Sequence, residues 1–239
     1  MRLSHVLKAL VFLSLGFTLG SGIYLEGRNA VRVQPQKHLQ KEILEIREAD
    51  RVSDWQDELT RRNPDWRAWL QFESGLVSLP VVQGNDNSWY LDHLFDGSYG
   101  ITGTLFFDHQ CQPSDPVRVI YGHSVFFDPD LMFTPLHRLA EQRVFEENRF
   151  FSLYEEHEEK QYEIFAVCLL DENREPASLV RTRRFVSADE QKRWLEEVMG
   201  HSSVSCDYAP LGTESILVLQ TCAGAEGSLR LYVFAALRT

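Results

Sequence analysis

The sequence predicts a mostly β protein, built as a closed barrel with antiparallel or mixed strand pairing. Short apolar runs recur through the C-terminal two thirds of the chain, and Gly, Asn, Asp and Pro separate them, which is typical of many short strands. Such a set of strands removes its free edges by closing into a barrel. The runs are Leu76 to Val82, Gly103 to Asp108, Val117 to Gly122, Gln161 to Leu169, Ser215 to Thr221 and Arg230 to Ala236.

The N-terminal segment, residues 1–25, has the pattern of a membrane anchor or signal. Arg2 and Lys8 precede a run from Ala9 to Leu25 that contains no charged residue, close to the lower limit of about 17 to 25 residues for a spanning helix. A cleaved signal peptide is the alternative, but no clear Ala-x-Ala site follows. We favour a single uncleaved anchor in the cell membrane, with its positive end inside and the bulk of the chain outside.

The next region, residues 26–62, is predicted to be a spacer followed by helix. Glu26 to His38 is polar, whereas apolar residues recur at three- and four-residue steps from Gln40 onward. The pattern is interrupted at Asn63-Pro64, because the residue before a proline is disfavoured in helical conformation. A second short helix is predicted over Asp65 to Glu73, with Trp66, Trp69, Leu70 and Phe72 on its packed side.

One helix is predicted inside the strand-rich region, over Ala188 to Met199. Ser187 precedes it and Glu190 follows three positions later, which is the spacing of a capping box. Its apolar stripe of Trp194, Leu195 and Val198 indicates packing against the barrel.

Three chemically complementary residues stand at or beside predicted strand ends: Cys222, His123 after Gly122, and Arg230. A thiol, an imidazole and a guanidinium can supply the nucleophile, the proton carrier and the oxyanion stabiliser of acyl transfer through a thioester. Each has an ordinary alternative. Cys222 could be a small buried hydrophobe, His123 a turn residue and Arg230 a solvent-facing strand position. Their co-occurrence favours a cysteine active site.

The other cysteines predict no metal site. Cys111, Cys168 and Cys206 form no Cys-x-x-Cys pair, and this spacing argues against a structural zinc site. Cys168 lies in an apolar run and is predicted to be core, while the pairing of Cys111 with Cys206 is left open. The acidic stretch from Tyr154 to Lys160 is predicted to be a solvated hairpin tip.

Net charge excludes one class of partner. The chain carries a formal charge of -11, whereas a nucleic-acid partner requires a basic face to neutralise its phosphates.

The strand from Leu217 to Cys222, with His123 upstream and Arg230 beyond it, resembles that of the sortases, the membrane-anchored cysteine transpeptidases of Gram-positive bacteria. The class B subgroup is indicated by Tyr121-Gly122-His123, by the long segment from Asn87 to Phe95 that leads to Gly103 to Asp108, and by the helix inserted before the last strands. The resemblance covers roughly Asn63 to the C-terminus. It departs at Gln220, where the family often has a small hydroxyl residue.

The resemblance implies a sortase-like catalytic domain over residues 63–239, extracellular and without a cofactor or metal. Cys222 would attack the sorting-signal peptide of a surface protein, His123 would move protons, and Arg230 would stabilise the oxyanion. The acyl group would pass to an amine of a peptidoglycan precursor or of another surface protein such as a pilin. The peptide groove would be lined by Asn87, Leu91, Tyr121 and Thr221.

Two alternatives share this sequence pattern. A cysteine peptidase would use the same three groups and release the acyl group to water. A catalytically inert, peptide-binding surface module would hold Cys222 as core and Arg230 as an external strand residue. The predicted anchor and a location facing the cell wall favour transpeptidation over hydrolysis, whereas the substitution C222A would distinguish the inert module.

Overall fold

The computed structural model describes residues 33–48, 55–125, 127–174, 177–223 and 228–238. The predicted anchor, residues 1–25, lies outside the described residues. Within the described ranges, no helix combines the length and the apolar character needed to cross a membrane.

Eight strands close into a barrel, as the sequence predicts. They are β1 (Trp66–Phe72), β2 (Ser78–Val82), β3 (Leu105–Phe107), β4 (Val117–Tyr121), β5 (Phe150–Glu155), β6 (Glu158–Asp171), β7 (Ile216–Cys222) and β8 (Leu229–Leu237). The strand order around the barrel is β1-β2-β3-β4-β7-β8-β6-β5. Pairing is mixed, because β2 with β3 and β4 with β7 are parallel while the other neighbours are antiparallel.

Three apolar layers hold the molecule together. Inward side chains from the strands fill the barrel. A second layer covers the outer face of β4, β6, β7 and β8, where the inserted helix packs, and a third joins the N-terminal helices to the outer face of β1, β2 and β3. Burial of apolar area on both faces of these strands is the main stabilising contribution.

The predicted helix from Asp65 to Glu73 is wrong, because this segment forms strand β1. Ala68, Leu70 and Phe72 point into the barrel, while Trp66 and Trp69 pack outside against the N-terminal helices. A strand buried on both faces loses the alternation of apolar and polar residues. The spacing of its apolar residues then resembles that of an amphipathic helix.

Strand β5 is absent from the sequence-based prediction. It runs from Phe150 to Glu155 and pairs with both β1 and β6. The turn between β5 and β6 consists of Glu156 and His157, whose φ angles of 53° and 63° are left-handed, as a two-residue hairpin turn requires. The predicted hairpin tip is therefore confirmed, but Glu155 within it is buried rather than solvated.

Among the described residues, two helices precede the barrel: α1, described over residues 33–48, and α2 (Trp55–Arg62). Helix α2 ends directly before Asn63-Pro64, as predicted. The polar spacer is wrong for residues 33–38, which are helical, and Val33 and Gln36 are buried there. The rest of the predicted spacer lies outside the described residues.

The remaining helices are α3 (Gln142–Glu147), α4 (Ala177–Arg181) and α5 (Ala188–Gly200). Helix α5 is the predicted inserted helix. The Ser187 hydroxyl accepts a hydrogen bond from the Glu190 amide at 3.2 Å, and the Glu190 carboxylate accepts one from the Val186 amide at 2.6 Å. These contacts confirm its predicted start.

Candidate active site

A cleft of about 320 Å³ lies on the outer face of the barrel, where β4, β7 and β8 meet the segment that joins β2 to β3. All seven residues that the sequence singled out line it. The full lining is Asn87, Leu91, Phe106, Tyr121, Gly122, His123, Gln220, Thr221, Cys222 and Arg230.

Strand register brings the thiol, the imidazole and the guanidinium to one place. Tyr121 pairs with Gln220 in the parallel ladder of β4 and β7, so His123 and Cys222 leave neighbouring strands at the same edge. Cys222 is directly opposite Arg230 in the antiparallel pair of β7 and β8. Opposite residues in such a ladder point to the same face of the sheet.

Gly122 allows the end of β4 to pack closely against neighbouring side chains. Its amide donates to the Gln220 carbonyl oxygen at 3.1 Å, which continues the ladder one residue beyond the strand. A Cβ atom at this position would lie 2.4 Å from Leu105 and 2.6 Å from Phe133 side-chain atoms. Only glycine fits here without displacing its neighbours.

The tautomer of His123 follows from its hydrogen bond. Its Nε2 lies 2.7 Å from the carbonyl oxygen of Leu91, and a carbonyl oxygen only accepts, so Nε2 carries the hydrogen. In the neutral ring, Nδ1 is then the nitrogen free to take a proton. Leu91 therefore contributes its backbone as well as its side chain to the cleft.

Of the four cysteines, Cys222 is the one that lines the cleft. Burial raises the pKa of Cys168 to about 12, and burial likewise raises the pKa of Cys111. Both are inert core thiols, as predicted for Cys168. Cys206 is partly exposed outside the cleft, and all four cysteines are free, so Cys111 and Cys206 do not pair.

A second histidine, His137, touches the Cys222 backbone, and sequence reasoning missed it. It lies on the 3-10 helix Thr134–Ala140, and its Nε2 is 3.1 Å from both the Cys222 carbonyl oxygen and the Ser124 hydroxyl. Burial lowers the pKa of His137, against the opposing effect of its bond to Cys222. A neutral His137 thus tethers the end of β7.

Arg230 is held at two points. Its Nη1 donates to the Leu229 carbonyl oxygen at 3.2 Å, and its Nε lies 3.7 Å from the Glu172 carboxylate. Its side chain remains 21% exposed. The guanidinium therefore lies at the border of the cleft and has further N–H groups that can donate hydrogen bonds to a ligand. This excludes the simple alternative of a fully solvent-facing strand residue.

Asp108 organises the opposite wall, and sequence reasoning gave it no role. Its carboxylate accepts from the Tyr121 hydroxyl at 2.8 Å and is hydrogen-bonded by the Asn87 side chain, while Arg183 lies 3.5 Å away. Burial alone would raise the pKa of Asp108, but bonds from the Gln110 amide and Tyr121 together with the Arg183 charge lower it. An ionised Asp108 fixes two predicted groove residues.

Thr221 lines the cleft at the end of β7, although its side chain is buried. It lies on the inward side of β7 between Gln220 and Cys222 and is only 2% exposed. Its hydroxyl has no hydrogen-bond partner among the described residues. A buried polar atom without a partner costs free energy.

The described residues contain no group of three or more His, Cys, Asp or Glu side chains able to hold a metal ion. The acidic stretch at the tip of the β5–β6 hairpin belongs to these residues and forms no such group either.

A scan against protein-family models gave no match. The chain is 24% identical over 215 residues to sortase B of Listeria monocytogenes, which covers 89% of this chain and 85% of the relative. Its fold also matches the crystal structure of Clostridium perfringens sortase B with a TM-score of 0.70 and 28% identity, over 77% of this chain and 99% of that one. These two likenesses support a class B sortase. They likewise support a cysteine transpeptidase of the sortase type.

A third likeness concerns the fold alone. The Staphylococcus aureus sortase B–substrate complex superposes with a TM-score of 0.76 at 19% identity, covering 87% of this chain and 99% of that one. At this identity the likeness concerns the barrel and its inserted helices.

Proposed function

We propose that this sortase joins a sorting-signal peptide to an amine through a thioester on Cys222, with His123 and Arg230 as its partners. The observation that carries the proposal is the convergence of the three side chains on one cleft through the registers of β4, β7 and β8. The sortase-type reaction defines the chemical steps, and the residues that line the cleft provide the groups that carry them out.

In the proposed first step, the Cys222 thiolate attacks the peptide carbonyl carbon and forms a tetrahedral intermediate. Arg230 donates hydrogen bonds to the oxyanion, since its guanidinium is permanently charged. The C–N bond then breaks, and the protonated His123 gives its Nδ1 proton to the leaving amine. The acyl group stays on sulfur as a thioester.

In the second step, an amine attacks the thioester carbonyl carbon while neutral His123 accepts its proton through Nδ1. The new amide forms and the Cys222 thiolate leaves. Nε2 remains on the Leu91 carbonyl oxygen throughout, which keeps the ring oriented.

We propose that the substrate is the sorting signal of a surface protein and that Asn87, Leu91, Tyr121 and Thr221 line its groove. The acceptor is an amine of a peptidoglycan precursor or of a pilin. A crystal structure of a sortase B in complex with triglycine supports a short glycine peptide as a test acceptor. The anchor predicted at residues 1–25 would hold the domain outside the cell membrane.

The test uses the purified chain, a library of sorting-signal-like peptides and triglycine, with products read by mass spectrometry. Transfer of the acyl fragment to triglycine is expected, at a rate that depends on the triglycine concentration. Release to water alone would instead favour the cysteine peptidase. Absence of any cleavage by a folded sample would favour the inert module.

Variants assign the roles. C222A is expected to abolish turnover, and H123A and R230A are each expected to lower kcat/KM by about a thousandfold, as removal of a catalytic group does in enzymes of this chemistry. C206A is the matched thiol control, because Cys206 is partly exposed and lies outside the cleft. Loss of activity in C206A would contradict the assignment.

A further inference from the structure

Glu172 lies beside Arg230 and has no part in the mechanism above. It directly follows β6, and its amide donates to the Ser228 carbonyl oxygen at 3.0 Å, which fixes it next to the start of β8. Its side chain is 27% exposed. It is thus a partly buried carboxylate at the margin of the cleft.

Both oxygens of this carboxylate are engaged by residues of the outer face of β7 and β8. Oε1 accepts from the Tyr232 hydroxyl at 2.8 Å and from the Gln220 amide nitrogen at 3.3 Å, and Oε2 faces Arg230 Nε at 3.7 Å. Gln220 pairs with Tyr232, and the next outward pair is Cys222 with Arg230. Of the four side chains in these two pairs, Glu172 therefore contacts all except the proposed nucleophile.

The contact constrains the guanidinium. A guanidinium is planar, so holding its Nε edge toward Glu172 and Nη1 toward the Leu229 carbonyl defines the directions of its remaining N–H groups. A long arginine side chain otherwise samples many rotamers. A donor that must meet a developing oxyanion gains from being fixed in advance.

The contact also accounts for the departure at Gln220. A carboxylate only accepts hydrogen bonds, so Gln220 turns its NH₂ group toward Glu172 and leaves its carbonyl oxygen for other contacts. A small hydroxyl residue, which the family often has at this position, places its polar atom about two bonds closer to the backbone. Gln220 and Glu172 thus form one connected wall.

We propose that Glu172 is a positioning residue for the transfer reaction, orienting the Arg230 guanidinium and the Gln220 amide on the face that carries Cys222. The inference rests on the proposed function. The competing explanation is a purely structural Glu172 that stabilises the hairpin through Tyr232.

The kinetic test is a double-mutant cycle in the full chain, with the peptide found by library screening and triglycine. E172Q keeps a side chain of the same shape but removes the charge. A drop in kcat/KM of about ten- to a hundredfold, mainly in kcat, is expected from a misplaced catalytic group. In an R230A background E172Q is expected to change kcat/KM less than about twofold, because the two residues act as a unit. Additive effects, or full activity of E172Q, would overturn the proposal.

E163Q is the matched control. Glu163 lies on β6, the strand that Glu172 follows, and pairs with Arg149 at 2.7 Å and Arg238 at 3.0 Å, but it does not line the cleft. Its loss is expected to lower the melting temperature while leaving kcat/KM unchanged. An equal loss of activity in E163Q and E172Q would indicate a general structural effect and overturn the positioning role.

A measurement without substrate separates this proposal from the proposed function. The ¹⁵Nε–¹Hε NMR signal of Arg230, assigned by its absence in R230A, is expected to shift and sharpen toward the free-arginine position in E172Q but not in E163Q. An unchanged signal would overturn the positioning role even if no peptide is ever cleaved. E172D, one methylene shorter, is the variant to measure if E172Q does not fold, with the same expected shift and the same contrary result.

Discussion

Asp108 shows how one side chain controls the shape of the cleft wall. The Asp108 carboxylate now accepts hydrogen bonds from Tyr121 and Asn87. D108N replaces it with an amide whose NH₂ group donates, and Arg183 loses its anionic partner. We expect KM for the peptide to rise about tenfold with little change in kcat, the equivalent of one charge-assisted hydrogen bond. Steady-state kinetics with the selected peptide measures both constants.

D115N is the control for this prediction. Asp115 is also buried and pairs with Arg184 at 2.8 Å, away from the cleft lining. Its replacement is expected to leave KM for the peptide unchanged. Equal KM values for the D108N and D115N variants would contradict the account.

At the residue scale, the sequence identifies reactive side chains that stand at predicted strand ends. It does not identify residues whose role depends on contacts with distant parts of the chain. Cys222, His123 and Arg230 stand out because a thiol, an imidazole and a guanidinium follow apolar runs. Asp108 and Glu172 end or follow strands as ordinary acidic residues, and their partners are set by barrel closure. Such partners cannot be predicted from local pattern alone.

Among the elements, the parallel pair of β4 and β7 determines the site. G122A would force its methyl group into Leu105 and Phe133, so these side chains or the end of β4 must shift. We expect a loss of about 1 to 3 kcal/mol in the free energy of unfolding, and loss of peptide transfer because His123 follows directly. Chemical denaturation measures the stability, and the transfer assay measures the activity.

G200A is the control for this prediction, because a methyl group there meets no atom within 4 Å outside its own helix backbone. Equal losses in the G122A and G200A variants would argue against a special role for this end of β4.

The element-level prediction fails where burial is two-sided. The spacing of β1 predicts a helix because the N-terminal helices cover the outer face of this strand, a tertiary arrangement that local spacing does not encode. The inserted helix and the hairpin tip are predicted correctly because a cap and a turn are local signals.

For the whole molecule, a buried ion pair inside the barrel links stability to pH. Glu155 accepts from Arg118 at 2.8 and 2.9 Å and from Lys160 at 2.7 Å. Burial would raise the pKa of Glu155, but Arg118 and Lys160 outweigh it and lower the pKa below its ordinary 4.5. The unfolded chain therefore binds the proton more tightly, so this contribution is complete above the ordinary pKa and is lost as pH falls through the folded one.

Thermal unfolding between about pH 3 and pH 7 tests this contribution, since the ordinary carboxyl pKa lies within that range. E155Q is expected to lower stability at pH 7 by about 3 to 5 kcal/mol, because it leaves Arg118 buried without its anion, and to flatten the acid limb of the profile. E58Q is the control, as Glu58 pairs with Arg61 and Arg62 on the surface. An acid limb that is as steep in E155Q as in the wild type would contradict the assignment.

The most direct test of the account is the fate of an acyl group on Cys222. The full chain is mixed with the selected peptide, quenched in acid and digested, and the adduct is located by mass spectrometry before and after triglycine is added. We predict an acyl adduct on Cys222 that disappears as the triglycine conjugate forms. An adduct on another cysteine, or conjugate formation in C222A, would contradict the central claim that this cleft transfers acyl groups through the Cys222 thioester.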